Sequence, residues 1–278
     1  MMKTSSFLRV LFLFGGLLGA QYEAIAQKWE HGISLGGSNY HGDLAKNIVL
    51  KETHPAFGLF SRYNFNEYWS LKSGLNYGKI SGSDANFKEY KLRNLNFQSH
   101  LWELNSVFEF NYLPFGTNPR TSSLSSYAFF GLSLYRFNPQ ALFKEEWHDL
   151  RPLRTEEQTN NQTYNLVQLA VPFGGGIKYS ITKNWVFGFE LGWRKLFTDY
   201  LDDVSTVYPD RAEQIKAHGS LSADLSDRSW EVEGVGEPLA SEGNWRGDPN
   251  FKDWYIFSMI SFSYRITPIT CWPKYSRF

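Results

Sequence analysis

The chain has 278 residues with 28 basic and 28 acidic side chains, so its formal net charge is zero. A neutral balance argues against a nucleic-acid partner, which would need a basic surface. A single cysteine excludes an internal disulfide framework. Aromatic residues make up 18% of the chain, a high share for a water-soluble domain, although the mean hydropathy is only -0.40.

The N-terminus has the three parts of a secretory signal peptide. Lys3 and Arg9 give a basic start, residues 10–20 are mostly apolar, and residues 24–26 form an Ala-x-Ala cleavage motif. The apolar run is too short to span a bilayer as a helix. We therefore predict that residues 1–26 are removed and that the mature protein lies outside the cytoplasm.

No later stretch holds the roughly 18 consecutive apolar residues of a membrane-spanning helix. Among membrane proteins this leaves a β-barrel, which hides its apolar residues in alternation with polar ones. Such alternation recurs along the chain. It predicts eight strands, approximately at 29–40, 55–63, 69–78, 102–112, 127–137, 169–179, 185–193 and 254–266.

The seventh predicted strand is the clearest. Its large apolar residues share one face, while Gly and Glu take the other, which is typical of a strand between lipid and a polar interior. The fifth is apolar on both faces, so its orientation stays open. Aromatic residues at the strand ends predict two girdles, one of Trp69, Tyr112, Trp185 and Tyr264, the other of Tyr77, Trp102, Trp193 and Trp254.

The connections alternate in length. Those after the second, fourth and sixth strands are short, whereas those after the others are mostly long, including polar loops at 81–97 and 138–167. Outer-membrane barrels have tight periplasmic turns and long extracellular loops. We therefore predict an all-β fold: a single eight-stranded antiparallel transmembrane β-barrel over residues 27–266, with both termini in the periplasm and long extracellular loops.

Six charged residues fall on the inward face of this barrel. Eight strands leave an interior just wide enough for side chains, and buried charges need partners. We therefore predict a closed plug of ion pairs with a structural role rather than a conduction path. The six residues are Lys72, Glu103, Glu109, Lys178, Glu190 and Arg194.

A lipid A-modifying barrel enzyme is an alternative, which would need a histidine beside a serine or carboxylate near the outer rim. His100, next to Ser99 and near Glu103, is the candidate worth naming. Neighbours in sequence do not make a catalytic triad. We expect no catalytic residue, no cofactor and no small-molecule substrate.

The last long loop is acidic, because residues 199–253 hold 13 Asp and Glu against five Lys and Arg. Asp199, Asp202 and Asp203 could hold a hard cation such as Ca²⁺. A solvated acidic loop pinned by Arg246 is the favoured interpretation, and we assign no metal site. Residues 209–217 predict a short helix.

Four stretches together resemble a known family: residues 30–44 (EHGISLGGSNYHGDL), 197–208 (FTDYLDDVSTVY), 246–255 (RGDPNFKDWY) and 271–275 (CWPKY). The chain resembles the PorG-like outer-membrane proteins of Bacteroidota, which are components of the type IX secretion system. The resemblance covers the whole mature chain. The tail departs from the family's Cys-Pro-Lys-Phe pattern, because Trp272 is inserted and three residues follow.

The resemblance implies a non-enzymatic barrel component that anchors or contacts the periplasmic ring of the secretion machine, made of a lipoprotein subunit and its partner. We predict that residues 267–278 form a periplasmic tail, in which Cys271, Trp272 and Lys274 contact that partner. An unpaired cysteine in an oxidising compartment suggests an intermolecular disulfide or a free thiol. A small OmpA- or OmpW-like barrel with a surface-binding or minor transport role is another alternative.

Overall fold

Ten strands form in the part of the chain that the structure, a computed structural model, describes: residues 29–116, 121–156 and 163–266. The predicted signal peptide and the predicted tail with Cys271, Trp272 and Lys274 lie outside these residues. The strands are β1 (Trp29–His41), β2 (His54–Asn64), β3 (Trp69–Ser83), β4 (Asn96–Asn111), β5 (Leu124–Arg136), β6 (Pro139–Phe143), β7 (Glu146–Asp149), β8 (Val167–Ser180), β9 (Trp185–Leu196) and β10 (Trp254–Arg265).

Eight of these strands close into a barrel. Their order is β3-β2-β1-β10-β9-β8-β5-β4, every pair is antiparallel, and β3 pairs with β4 to close the ring. Closure leaves no unpaired barrel edge, as a strand assembly in lipid requires. The prediction of an eight-stranded antiparallel barrel of outer-membrane type is therefore confirmed, with β6 and β7 as an addition to it.

Side chains alternate between the two faces of the barrel wall. In β9, Phe187 and Phe189 are about two-fifths exposed, whereas Val186 and Glu190, which flank them on either side, are buried. The orientation of β5, which the sequence left open, is now clear, because Phe130 faces out. The exposed large apolar residues make an outer belt, and the polar residues face inward.

Aromatic side chains from neighbouring strands pack against one another near both ends of the belt. Trp185 packs edge-on against Tyr264 with ring centroids 5.0 Å apart. At the other end, Tyr77 and Trp102 lie 4.8 Å apart. These contacts occur at positions that the sequence assigned to two opposite girdles, where amphipathic rings sit at the boundary between lipid and water.

The two barrel ends differ in the length of their connections. One end, the short-turn end, carries residues 65–68, 112–116, 121–123 and 181–184. The opposite end, the long-loop end, carries residues 42–53, 84–95, 137–156, 163–166 and 197–253. Glu30 of β1 pairs in register with Arg265 of β10, so the barrel's first and last strands begin and end at the short-turn end.

Two predicted loops at the long-loop end contain more strand than expected. β3 continues to Ser83 and β4 begins at Asn96, so both project beyond the belt into the stretch predicted as a polar loop. The predicted loop 138–167 contains the β6–β7 hairpin, which joins the barrel wall where Gln98 pairs with Gln140. Prediction of a plain loop was wrong here, because tertiary pairing with β4 stabilises strands too short to be recognised alone.

The last loop contains two helices, α1 (Arg211–His218) and α2 (Ser220–Ser226). Asp210 caps α1, because its carboxylate accepts a hydrogen bond from Glu213 N at 2.7 Å. Gly219 ends α1 with φ +87°, a left-handed value that favours glycine. The predicted helix at 209–217 is therefore present, although it begins two residues later and ends one residue later, and α2 was not foreseen.

An apolar core fills the barrel mouth at the long-loop end and continues under the loops. It combines inward residues of the barrel strands with residues of the loops. Prominent members of this core are Tyr40, Leu44, Ile80, Phe97, Leu101, Tyr135, Phe137, Leu196, Leu201, Val204, Tyr255 and Phe257.

Within the described ranges, no helix is long and apolar enough to cross a membrane.

Candidate functional site: the barrel interior and the loop cap

Glu109 is the centre of the ion-pair network inside the barrel. Its carboxylate accepts hydrogen bonds from Arg62 Nε at 2.8 Å and from Lys178 Nζ at 2.5 Å. Lys72 Nζ lies 3.6 Å away on the other carboxylate oxygen, and Ser70 donates at 3.0 Å. Glu109 has no exposed surface, so these partners replace the water that an ionised carboxylate needs.

Two further carboxylates continue the network toward the long-loop end. Glu190 pairs with Lys72 and accepts a hydrogen bond from the Tyr127 hydroxyl at 2.8 Å. Glu103 pairs with Arg194 through both carboxylate oxygens, at 3.0 and 3.2 Å. The structure thus brings all six predicted inward charges into the interior, where they pair with one another.

Three charged interior residues were missed by the sequence analysis. Glu30 pairs with Arg62 and lies 3.5 Å from Arg265 Nη2. All three are buried. Glu30 lies on the Gly-rich first strand and Arg62 on the second, where large apolar residues alternate too loosely to fix the inward face. Strand pairing fixes that face, because neighbours in register point to the same side.

The interior is filled. A cavity of about 30 Å³ lies among Arg62, Lys72, Glu190 and Arg194. This volume is enough for about one or two water molecules. Above Arg194, whose guanidinium lies 4.7 Å from the Phe257 ring, the apolar core closes the mouth. The described interior therefore offers space for isolated water rather than for a solute.

The structure does not bring His100 together with its two sequence neighbours. His100 is exposed on the outer face, and its Nδ1 lies 2.8 Å from the Tyr77 hydroxyl. Ser99 and Glu103 face the interior and are fully buried. Residues an odd number apart on a strand point to opposite faces, so this group cannot act together.

A serine, a histidine and a carboxylate do meet elsewhere at the long-loop end. His54 Nε2 lies 2.7 Å from Ser81 Oγ, and Ser81 also donates a hydrogen bond to Glu52. A nucleophilic serine needs the acid behind the histidine, where it orients the base. Here the acid accepts the hydrogen bond of the serine hydroxyl itself, so the arrangement is a hydrogen-bond chain that fastens two strands and a loop.

The loops above the apolar core form a compact unit, which we call the loop cap: residues 42–53, 84–95, 137–156, 163–166 and 197–253. At its base, the Tyr40 hydroxyl lies 2.5 Å from Asp202 Oδ2 and 2.9 Å from Asp253 Oδ1. Tyr40, Asp202 and Asp253 are at most 2% exposed. Burial, followed by the charge of neighbouring carboxylates, raises the pKa of both aspartates well above the ordinary value.

The predicted solvated acidic loop is instead a buried one at its beginning. Asp203 accepts hydrogen bonds from Thr155 at 2.5 Å and Tyr164 at 2.7 Å, and burial raises its pKa to about 6 although Arg246 opposes this. Arg246 does pin the loop. It donates to Glu156 at 2.9 Å and to the Asp203 carbonyl at 2.5 Å. The carboxyl group of Asp203 therefore serves as an acceptor of internal hydrogen bonds rather than as a solvated charge.

The aspartates do not assemble a recognisable cation site. Over the described residues, no group of three or more His, Cys, Asp or Glu is placed to hold a metal ion. Asp199 is 2% exposed, and its Oδ2 accepts from Ser205 at 2.8 Å while Oδ1 has no partner. Burial raises the pKa of Asp199 to about 7.

The outer surface of the loop cap presents Trp245, which is 70% exposed. It borders two adjoining cavities of about 230 and 370 Å³. Its neighbour Gly247 packs tightly, since a Cβ there would lie 2.7 Å from Asp43 Oδ2 and 2.8 Å from Ser205 N. The aromatic side chain is therefore exposed on a firmly held segment.

The structure is similar to several solved barrels at low sequence identity. Neisserial surface protein A is 8% identical with a TM-score of 0.42, over 85% of this chain and 96% of that one. Ail, the attachment invasion locus protein of Yersinia pestis, is 12% identical with a TM-score of 0.38, over 85% and 98%. Outer membrane protein OprG from Pseudomonas aeruginosa is 10% identical with a TM-score of 0.39, over 87% and 98%.

Sequence comparison gives a family. No functionally curated protein matches the chain. The model of one family, described as a domain of unknown function (DUF6089), matches residues 6–224, which include the first nine strands, α1 and most of α2. The match covers most of the chain, and the protein therefore belongs to the DUF6089 family.

Proposed function

We propose that this outer-membrane barrel is a non-enzymatic component of the type IX protein secretion machinery, which contacts the periplasmic ring assembly. The family resemblance suggests the machine. One structural observation supports the resemblance. Three of the four stretches that carry it contribute one residue each to a single buried cluster, made of Tyr40, Asp202 and Asp253. The shared stretches therefore build one part of the molecule, the base of the loop cap.

The filled interior supports a scaffold rather than a pore. Glu109, Glu190 and Glu103 tie the strands together through paired cations, and the apolar core covers them at the long-loop end. Opening a path would require separating buried ion pairs, which leaves buried charges without partners and is strongly unfavourable. A barrel of this kind can hold an assembly at the membrane without passing its cargo.

The proposed orientation places the loop cap outside the cell and the short-turn end in the periplasm, as in outer-membrane barrels generally. Chain beyond Ile266 then leaves the barrel on the periplasmic side. We propose that Cys271, Trp272 and Lys274 in this tail contact the lipoprotein subunit of the ring or its partner.

Affinity purification tests the proposal. A tag inserted after Gly236, an exposed position in the loop cap, leaves the tail free. The tagged chain, purified from mildly solubilised membranes, should bring down the two periplasmic ring proteins, and deletion of its gene should reduce secretion. A matched variant truncated after Ile266 should keep a folded barrel, seen by heat-modifiable gel migration, but lose the ring proteins.

Two results would contradict this function. One is a full-length barrel that purifies without ring proteins under conditions that preserve the ring itself. The other is normal secretion in the deletion strain. If lipid A changed mass in that strain, the enzyme alternative would replace the scaffold.

A surface-binding role, as in small OmpA- or OmpW-like barrels, is the second candidate. The observation that favours it is Trp245, an exposed aromatic beside two cavities on the outer surface of the loop cap. Large aromatic side chains with polar neighbours are frequent anchors in recognition surfaces. Replacing Trp245 by Ala should abolish cell-surface binding of the ligand under this alternative, and leave ring association and secretion unchanged under the first.

A further inference from the structure

The base of the loop cap contains a phenol shared by two carboxyl groups. Tyr40 lies at the end of β1, whereas Asp202 and Asp253 lie near the beginning and the end of the last loop. The hydroxyl oxygen is within hydrogen-bond distance of both, at 2.5 and 2.9 Å. Three acidic groups, each of which becomes negative when it loses its proton, therefore meet where water is almost excluded.

The number of protons decides what this contact can be. A phenol hydroxyl has one hydrogen to donate, and an ionised carboxylate can only accept. Tyr40 can therefore satisfy Asp202 or Asp253 as a donor, but not both. The second contact is a hydrogen bond only if that carboxyl group carries a proton and donates it to the phenol oxygen.

The backbone anchors on the far side of each carboxyl group do not remove this requirement. Asp202 Oδ1 accepts from Val204 N at 3.0 Å, and Asp253 Oδ2 accepts from Leu201 N at 2.9 Å. These bonds use the oxygens that face away from Tyr40. The bond from Leu201 N to Asp253 joins the two ends of the last loop, and the Tyr40 contacts join both ends to β1.

Nearby cations are committed to other partners. Arg93 donates to both Asp84 oxygens, at 2.8 and 2.6 Å, and to the carbonyl oxygens of Asp43 and Arg246. Lys252 donates to the Pro249 carbonyl at 2.6 Å. Arg93 attracts Asp202 electrostatically, but among the described residues neither cation forms a hydrogen bond or an ion pair with the two carboxyl groups at Tyr40.

A metal ion is not favoured either, since the described residues offer no cluster placed to hold one. Asp199, beside the pair, has a buried oxygen without a hydrogen-bond donor. A buried carboxyl group that lacks a cation and a metal is neutralised by a proton. Both observations point to bound protons as what compensates this cluster.

We propose that Tyr40, Asp202 and Asp253 form a proton-held clasp, in which one proton shared by the two carboxyl groups fastens the last loop over the barrel mouth, and whose loss releases the loop cap. The clasp makes the outer face of this protein sensitive to pH. The cap is closed at low pH, and it loosens as the pH rises.

The direction of the effect comes from proton linkage. The pKa of each carboxyl group is raised well above its usual value by burial first, then by Asp43 on Asp202 and by Asp202 on Asp253. In a released loop an aspartate has a pKa of about 3.9, so above that pH the release of the loop is accompanied by the loss of a proton to solvent. The stability of the closed cap is complete below that value and falls as pH rises through the raised pKa.

Other ionisable groups surround the clasp, and they come from each element packed on it. The negative charge of an acidic neighbour raises the pKa of the two carboxyl groups further, whereas the positive charge of a basic neighbour lowers it. Asp43 and Lys46 belong to the first long loop, Asp84 and Arg93 to the second, Glu156 and Tyr164 to the third, Asp199, Asp203 and Lys252 to the last, and Tyr135 to β5.

Limited proteolysis of the folded full-length barrel in detergent micelles tests the clasp. The cleavage rate of the last loop is compared between wild type and Asp253→Asn at each pH from about 5 to about 9, so that the protease's own pH dependence cancels. The asparagine amide supplies a permanent hydrogen to the cluster. The ratio of wild-type to variant cleavage should therefore rise with pH, by up to about tenfold per pH unit.

Two more variants separate the clasp from general loop stability. Asp202→Asn should flatten the dependence of loop cleavage on pH, as Asp253→Asn does. If Asp253→Asn fails to fold, Asp202→Asn takes its place in the comparison. Asp227→Asn is the control, because the Asp227 carboxylate accepts from Ser229 N and Ala240 N and lies outside the clasp. Its profile should keep the wild-type slope, with heat-modifiable migration confirming a folded barrel throughout.

Three outcomes would overturn the proposal. If the ratio of wild-type to variant cleavage does not change with pH, no shared proton holds the cap closed. A wild-type slope retained in both clasp variants assigns the effect to other groups. Opening of the cap by a chelator at constant pH, reversed by Ca²⁺, would mean that a divalent cation neutralises the cluster instead.

Discussion

Neutralising Glu109 is the most direct test of the ion-pair interior. Glu109→Gln keeps the shape of the side chain but removes the charge that three cations share. Arg62 would still pair with Glu30, and Lys72 would still pair with Glu190. Lys178 would lose its ion pair and keep the side-chain oxygen of Asn111, 3.2 Å from its ammonium, and the face of the Tyr127 ring, 4.2 Å away.

The cost is therefore that of one uncompensated buried cation rather than three. Breaking a buried ion pair by removing one partner costs about 3–5 kcal/mol. We expect Glu109→Gln to lower the free energy of unfolding by this amount. The double variant Glu109→Gln with Lys178→Met should recover most of the loss, because it removes the stranded charge and keeps its volume.

Urea unfolding of the barrel in micelles, followed by tryptophan fluorescence, measures both effects. Asp224→Asn is the matched control, since it breaks an ion pair with Arg211 that is partly exposed. An exposed pair contributes about 0–1 kcal/mol. A loss for Glu109→Gln no larger than that of the control, or a double variant no more stable than the single one, would refute the reasoning.

Three further predictions concern the wall, the cap and the tail. Phe189→Arg, on the lipid-facing side of β9, should destabilise the barrel by about 2–4 kcal/mol in urea titrations, whereas Phe189→Leu should change it far less; equal effects would contradict the outward assignment. Asp210→Ala removes the α1 cap and should cost about 1 kcal/mol, seen as faster exchange of amide hydrogens in α1 alone. A reductant-sensitive band of higher mass on gels of intact cells should disappear in Cys271→Ser, and full labelling of Cys271 with no such band would exclude a covalent partner.

The barrel wall could be predicted because its code is local. In strands such as β9, a period of two separates Phe187 and Phe189 from Glu190, and this alternation needs no knowledge of neighbours. The inward position of six charges followed directly. β1 and β5 were harder, since small residues on both faces, or apolar ones, remove the contrast that alternation depends on.

The loop cap could not be predicted, because its structure is decided by distant contacts. Tyr40 and Asp202 are 162 positions apart, and no local pattern links them. An acidic composition normally indicates a solvated segment, and here burial reverses that expectation at Asp202, Asp203 and Asp253. The β6–β7 hairpin was missed for the same reason, since its pairing partner lies on β4.

The pairing of β1 with β10 has a consequence for how the barrel is made. This seam joins the first barrel strand to the last, from Glu30 against Arg265 to His41 against Trp254. Every other barrel pair joins consecutive barrel strands, so seven can form as the chain arrives, while β1 and β10 must wait for each other. Until β10 pairs with β1, the growing sheet has two unpaired edge strands, and these can pair with other chains. Delivery of a complete chain, held apart from its neighbours, is therefore a condition of assembly, and damage to β10 should leave an aggregating ribbon rather than a smaller barrel.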